Sequence, residues 1–283
     1  MSRIWFFCHL PGADPRAAEG VSESYAAIPA LVDEVRRKDP GARWFFHRPA
    51  DGDRWGGGLW FHAEEAALEA VSGAVPEAAP VRSGDAAGPV GAGLHRESGE
   101  RPEPPRPAFD GVHLDDELAF RSGELALETL RHGPLDEERQ LGFAVLHLGR
   151  LVELLPESER PAFLFLYWQE RVGRLSREER LRAAERADVH GAALAAAATP
   201  EGFGNFRSGE LAGTALRNYL DAARSAVEAP ARPDAPANYL LFGHARHTHE
   251  RMGIPASTDA LAARALRTAL RISPVTAREL QPV

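Results

Sequence analysis

Apolar positions in this chain fall into two regimes. Near the N-terminus they come as short aromatic runs: Ile4-Trp5-Phe6-Phe7-Cys8-His9-Leu10, closed by Pro11-Gly12, then Arg43-Trp44-Phe45-Phe46-His47-Arg48, then Gly58-Leu59-Trp60-Phe61-His62. Runs of this length bounded by turn residues predict strands. The Gly/Asp-rich stretch from Asp51 to Gly57 makes the second and third a hairpin. Between Ser22 and Lys38, Ile28, Leu31, Val32 and Val35 recur at three- and four-residue spacing, and Asp39-Pro40-Gly41 ends the run. That spacing predicts a helix, and Glu64 to Val71 carries a shorter one. Residues 3–73 thus read as strand, helix, strand, strand, helix around a small mixed or antiparallel sheet.

Residues 74–107 scatter Pro76, Pro80, Pro89, Pro102, Pro104, Pro105 and Pro107 among Gly, Ala and charges, the pattern of a long surface loop. A short strand is expected around Phe109 to Leu114. Beyond it the period becomes helical, with helices over 122–131, 137–155, 158–173, 176–196, 207–227, 237–252 and 258–271, punctuated by prolines such as Pro134, Pro156, Pro200 and Pro255. The class is α+β: one unit over 1–283, comprising an α+β part (1–73), a Pro/Gly-rich loop (74–107) and a helical part (108–283).

Composition narrows the chemistry. The chain has 33 Lys+Arg against 41 Asp+Glu, a net charge of −8, and a single lysine, Lys38, in the charged run Arg36-Arg37-Lys38-Asp39. A Walker P-loop and a Schiff-base enzyme both need a placed lysine, so both are excluded. One cysteine, Cys8, excludes an intramolecular disulfide and a Cys-rich zinc site. No apolar run approaches the roughly 18 residues of a membrane span, and no basic region precedes an apolar one at the N-terminus, so a cytoplasmic protein is expected. The acidic balance argues against nonspecific nucleic-acid binding.

Phe120-Arg121-Ser122-Gly123-Glu124-Leu125-Ala126 reappears as Phe206-Arg207-Ser208-Gly209-Glu210-Leu211-Ala212. The simpler reading is a Ser N-cap with Glu in the first turn, used twice. The functional one pairs Arg121 and Arg207 as sites for a carboxylate or peptide carbonyl. The densest polar cluster is Gly243-His244-Ala245-Arg246-His247-Thr248-His249-Glu250-Arg251. On a helix, Leu241, Ala245, Thr248 and Met252 form the packed stripe, and Leu240, His244, His247 and Arg251 line its neighbour. Two imidazoles and a guanidinium on one side suit proton transfer with a cation to hold a developing oxyanion. A solvated or structural His cluster is the equal alternative. A metal is the weaker one, because no Asp or Glu shares that stripe. Phe163 to Trp168 reads as core, with Trp168 also a possible pocket wall. No Gly-x-Ser-x-Gly occurs, Cys8 lies in an apolar strand, and Gly56-Gly57-Gly58 does not lead from strand to helix.

The order strand, helix, Trp44-Phe45-Phe46-His47-Arg48, glycine-rich turn, Leu59-Trp60-Phe61, acidic helix entry, then a late His-rich helix ending Arg251-Met252-Gly253-Ile254 resembles the thiopeptide-type bacteriocin biosynthesis family. That family includes the elimination domains of LanB-type lanthipeptide dehydratases and the pyridine synthases. Eliminases of the family follow their Phe-Phe-x-Arg strand with a His-Leu-Arg-Leu-Arg-like strand whose arginines act on the glutamyl ester. Here Gly56 to Phe61 carries neither arginine. Glu250-Arg251-Met252-Gly253 keeps the Arg and Gly of the family's Asn-Arg-Leu-Gly without its Asn, and the histidines fall at 244 and 247. In a chain of this size the resemblance points to the pyridine synthase branch.

The resemblance implies a formal aza-[4+2] cycloaddition of two dehydroalanines in a modified precursor peptide, with loss of water and leader peptide and with no cofactor or metal. It implies His244 and His247 as proton-transfer groups, Tyr239 as a hydroxyl donor and Arg251 as an electrostatic or positioning group. The N-terminal unit is then expected to bind the leader, by strand addition at a sheet edge. Arg48, Glu117, Arg121, Arg207 and Trp168 are the candidate peptide-binding residues. Two alternatives stand beside this reading: a lyase expelling glutamate from glutamylated Ser/Thr, and a noncatalytic module that presents the precursor.

Overall fold

The computed structural model describes residues 3–10, 27–48, 57–72, 93–95, 116–131, 135–197, 209–229 and 236–279. The elements are β1 (Arg3–Leu10), α1 (Ile28–Lys38), β2 (Arg43–His47), β3 (Gly57–Glu64), α2 (Glu65–Ser72), β4 (Gly93–His95), α3 (Asp116–Leu130), α4 (Glu137–Glu153), α5 (Arg160–Gly173), α6 (Arg177–Ala197), α7 (Gly209–Glu228), α8 (Ala237–Arg251) and α9 (Ala256–Glu279). The class is α+β, as expected.

The sheet is antiparallel throughout, in the order β2-β3-β1-β4, with Phe6 opposite Phe61 and Trp44 opposite Phe61 on the other side. Side chains alternate between its faces. Phe6, Cys8, Trp44, Phe46, Leu59 and Phe61 join Ile28, Val32 and Val35 of α1, Leu68 of α2 and the helices in the main core. Trp5, Phe7, Phe45 and Trp60 form a second buried aromatic layer with Ala119. Burial on both faces is why these strands read as unbroken apolar runs rather than as alternation. Cys8 lies within this core, where burial pushes its thiol up to about 11, so it is no nucleophile at neutral pH.

Two expectations change. Residues 74–107 are not loop throughout, because Gly93–His95 pairs with Trp5 to Phe7 of β1 as an edge strand. The strand expected at Phe109 to Leu114 lies outside the described residues. Ser122 does not cap a helix: α3 begins at Asp116, and Ser122 sits within it, fully buried. Its hydroxyl meets Thr248 Oγ1 at 2.7 Å and accepts from Arg251 Nη1 at 2.6 Å. Gly123 beside it is a close-approach residue, since a Cβ there would lie 3.3 Å from the Phe45 Cα of β2. The motif thus lets α3 press onto β2 while Ser122 reaches α8. In the second copy, Phe206 to Ser208, including Arg207, lie outside the described residues.

Candidate functional site

Helix α8 lies against β2, α3, α4, α5 and α7. Among its residues from Leu240 to Arg251 only Phe242 escapes full burial, so its polar side chains must find partners inside the protein. Two carboxylate–histidine groups result.

The first joins α8 to β2. Glu250 Oε2 lies 3.5 Å from His247 Nδ1 and 3.9 Å from His47 Nε2, and all three residues are buried. The other oxygen, Oε1, accepts from Arg171 Nη1 at 3.1 Å, and Arg174 Nη1 lies 3.7 Å from it. Burial alone would raise the Glu250 pKa. The hydrogen bond of His247 and the charges of Arg171 and Arg246 outweigh it and hold the carboxyl well below the usual range. Burial lowers His247, with Glu250 opposing, and carries His47 down to about 3 with help from the neighbouring His247. At neutral pH the group is one carboxylate with two neutral imidazoles. Arg246 Nη2 approaches His247 Nε2 at 3.4 Å, and a guanidinium can only donate, so the His247 proton belongs on Nδ1, facing Glu250.

The second group is deeper. Asp259, at the start of α9, accepts from Tyr167 Oη at 3.0 Å and from His249 Nδ1 at 2.7 Å, and pairs with Arg171 Nε at 2.9 Å. His249 Nε2 meets His147 Nδ1 at 2.8 Å. His147, His249 and Asp259 are fully buried, and burial holds His147 well below its ordinary pKa.

The first group opens on a cavity. About 220 Å³ lies between the end of β2, the end of α5 and the α8–α9 turn, lined by Arg48, Arg171, Arg174, Glu179, Glu250 and residues 253–257. Gly253 shapes it: its φ of +72° suits glycine, and a Cβ there would stand 2.7 Å from Arg48 Nη1. The cavity therefore presents three guanidiniums, two carboxylates, of which Glu250 is backed by an imidazole, and the N-terminus of α9. Cations so placed can hold a developing oxyanion, and Glu250 with His247 can carry a proton.

His47, His247 and Glu250 also form the only potential three-ligand metal set found among the described residues, their ligand atoms all within 4.8 Å. This corrects the premise that no acid accompanies the α8 histidines: Glu250, one turn from His247, points to the same place, and His47 arrives from β2. Around the set stand Arg171, Arg174, Arg246 and Arg251 against Glu170, Glu250 and Asp259. Of these, Arg171, Arg246 and Arg251 are buried against Glu250 and Asp259, so a divalent cation would add to an excess of buried positive charge, and the donor atoms fit a metal better than their surroundings do.

The other candidates disperse. His244 is buried, neither ring nitrogen has a hydrogen-bond partner among the described residues, and burial followed by the charge of Arg251 puts its pKa well below the ordinary value. Arg251 is fully buried and donates to the Phe46 carbonyl and to Ser122, tying α8 to β2 and α3. Burial lowers even its pKa, to about 10. Tyr239 is 47% exposed, unlike the buried tyrosines Tyr167 and Tyr219. Its position at the start of α8 does not bring it to the His244–Arg251 stripe. Trp168 is half-buried beneath the Arg264 guanidinium, 5.4 Å from its ring, and does not line the cavity. Glu117 and Arg121 line a separate open cleft of about 530 Å³ between α3 and α7. There Arg121 pairs with Glu117 and Glu124 at 2.9 Å each, and Arg43 with Glu117 at 3.0 Å. His47, Arg171, Arg174 and Asp259 had no local sequence signal, being isolated polar residues spread over several elements.

No family model and no curated protein matches this sequence. Among solved structures, the chain is similar to the tRNA-dependent lantibiotic dehydratase MibB from Microbispora sp. 107891, at 15% identity and a TM-score of 0.47, over 99% of this chain and 29% of that one. The chain spans less than a third of that dehydratase's length. No described helix is long and apolar enough to cross a membrane.

Proposed function

We propose that this chain is a pyridine synthase acting on a modified precursor peptide. Two dehydroalanines, one as its imidic-acid tautomer, join in a formal aza-[4+2] cycloaddition, and loss of water and of the leader as an amide aromatises the ring. The observation that carries the reading is the Glu250–His247 pair opening on an arginine-lined cavity. This reaction calls for a proton carrier and oxyanion donors and for no covalent nucleophile. At about 220 Å³ the cavity is smaller than the roughly 300–1,000 Å³ of ordinary ligand pockets, so it suits the reacting centre rather than the peptide. Holding two alkenes of a flexible chain together removes an entropic barrier of about 7–11 kcal/mol in favourable cases. Arg48 and Arg174 would hold the amide oxygen as charge develops there, and Glu250, its charge balanced by Arg171, would pass the proton with His247 behind it. The open cleft carrying Glu117 and Arg121 is the corresponding candidate for the rest of the peptide.

Incubating the protein with a leader-bearing peptide that contains two dehydroalanines tests this. The expected product is a macrocycle lighter than the substrate by water and the leader amide, lost in Glu250→Gln and in Arg48→Ala. Tight binding with unchanged mass would leave a presenting module instead. One observation favours a second reading, glutamate elimination: the arginines missing from β3 have counterparts at 48, 171 and 174, where a glutamyl carboxylate could sit. Free glutamate released from a glutamylated peptide would decide for it.

A further inference from the structure

The two carboxylate–histidine groups share one side chain. Arg171 of α5 places Nη1 3.1 Å from Glu250 of α8 and Nε 2.9 Å from Asp259 of α9, and it is buried with both. The hydrogen bonds fix the proton order behind it. Asp259 can only accept from Tyr167 and His249, so His249 carries its proton on Nδ1 and leaves Nε2 to accept from His147 Nδ1. The result is a one-way chain, His147 to His249 to Asp259, in which His249, like Tyr167, draws on the carboxylate charge that Arg171 faces.

We infer that Arg171 is a positioning residue: one guanidinium, divided between two buried carboxylates, lets the Asp259–His249–His147 relay set how firmly Glu250 holds His247. The more strongly Asp259 draws the fork, the less of it neutralises Glu250, and the more Glu250 gives to His247 Nδ1. The charged and titratable groups facing His247 are Glu250, Arg246, His244 and Arg251 on its own helix and His47 on β2, with Glu170 of α5 acting through Arg246 at 3.8 Å. Among the described residues, the side chains that meet the Asp259 carboxylate are Tyr167, His249 and Arg171, and of these Arg171 also pairs with Glu250, so the path from Asp259 to His247 runs through Arg171. The inference rests on the acid–base reading of His247, but its test uses no substrate, so its failure and that of the proposed reaction are separable.

The test is the imidazole ¹⁵N–¹H spectrum of the full chain against pH. Asp259→Asn releases the fork towards Glu250. The His247 Nδ1 proton is then expected to move upfield, with proton binding weakened about three-fold, half a pH unit. Tyr167→Phe removes one donor from Asp259 while keeping its charge, and it is expected to move the same resonance the other way. It also serves if the Asn variant does not fold. In an Arg171→Lys background, which keeps the charge but not the fork, both shifts are expected to vanish. A His247 resonance that ignores Asp259 and Tyr167, or shifts that persist in the Arg171→Lys background, would overturn the coupling and reduce Arg171 to a structural ion pair.

Discussion

The sheet and helix α8 are both buried, and they are buried by opposite means. In the sheet, Trp5, Phe6, Phe7, Trp44, Phe45, Phe46, Trp60 and Phe61 fill two apolar layers, one on each face. In α8, His244, Arg246, His247, Thr248, His249, Glu250 and Arg251 are all buried. Burying an aromatic ring costs nothing in ionisation, whereas each of these polar groups must be hydrogen-bonded, paired or held neutral. The sheet is therefore stabilised by a term that ignores pH, and the α8 layer by one that depends on it.

Acid is the sharpest way to break that symmetry. His47, His147, His244 and His247 all have folded pKa values below their ordinary one, with burial the first cause in each case. A histidine whose folded pKa is lowered contributes stability that is complete above the unfolded value near 6.5 and lost as pH falls towards the folded value. Each such group costs about 1.4 kcal/mol per pH unit in that window. The three carried furthest down, His47, His147 and His244, together remove roughly 3–4 kcal/mol in the first full unit below 6.5, a large share of the stability of an ordinary domain, and His247 adds to the loss in the same direction. Thermal melts between pH 7.5 and 5.5 should fall steeply; a flat profile would mean that these imidazoles reach solvent.

Single substitutions come next. Arg171→Met leaves Glu250 and Asp259 buried without their cation and should cost about 3–5 kcal/mol. Trp44→Ala in the sheet should cost a similar 3–5 kcal/mol by leaving a cavity. The two differ in kind: the Trp44 loss should be the same at pH 6 and 8, while the Arg171 loss should change with pH. Denaturant melts at both values separate them, and identical pH slopes would erase the distinction between the regions.

The same contrast explains what was legible beforehand. The strands, the hairpin and the helix at 28–38 follow from spacing, because apolar burial writes itself into the local pattern. The polar layer does not. A helical wheel with one buried stripe selects His244 and His247, but α8 is buried almost all round, so Glu250 and His249 belong to the same interior. His47 closes the cavity-side group from a strand two hundred residues away in sequence, and Asp259 anchors the deeper one from the next helix. Tyr239 lies on the same helix but at its exposed start, away from that interior. Ser122 misled in a further way, since Ser followed by an acidic residue looks the same whether it caps a helix or crosses to another one.

Ser122→Ala therefore discriminates between a local and a long-range role. As the partner of Arg251 Nη1 and Thr248, its loss leaves a charged donor unsatisfied in the core, a cost of about 1–3 kcal/mol. The measurement is a melt of the single variant beside the double variant that also carries Arg251→Lys, with Arg251→Lys alone as the reference. Additive losses would show that the hydroxyl does not act through Arg251.

The smallest expected effect on stability is the most informative about function. Arg174 lines the cavity but is 42% exposed, and its ion pairs with Glu170 at 3.3 Å and Glu250 at 3.7 Å are of the solvent-screened kind. Arg174→Ala should change stability by less than about 0.5 kcal/mol, because Arg171 still balances Glu250. Its guanidinium, however, lines the cavity in which the proposed reaction would develop its oxyanion. Removing one such donor lowers turnover by about 10²–10³-fold where it acts in the transition state. A variant that melts like the parent yet loses turnover on a dehydroalanine peptide would assign Arg174 to the chemistry. Unchanged turnover would move the oxyanion role to Arg48 and leave Arg174 as rim.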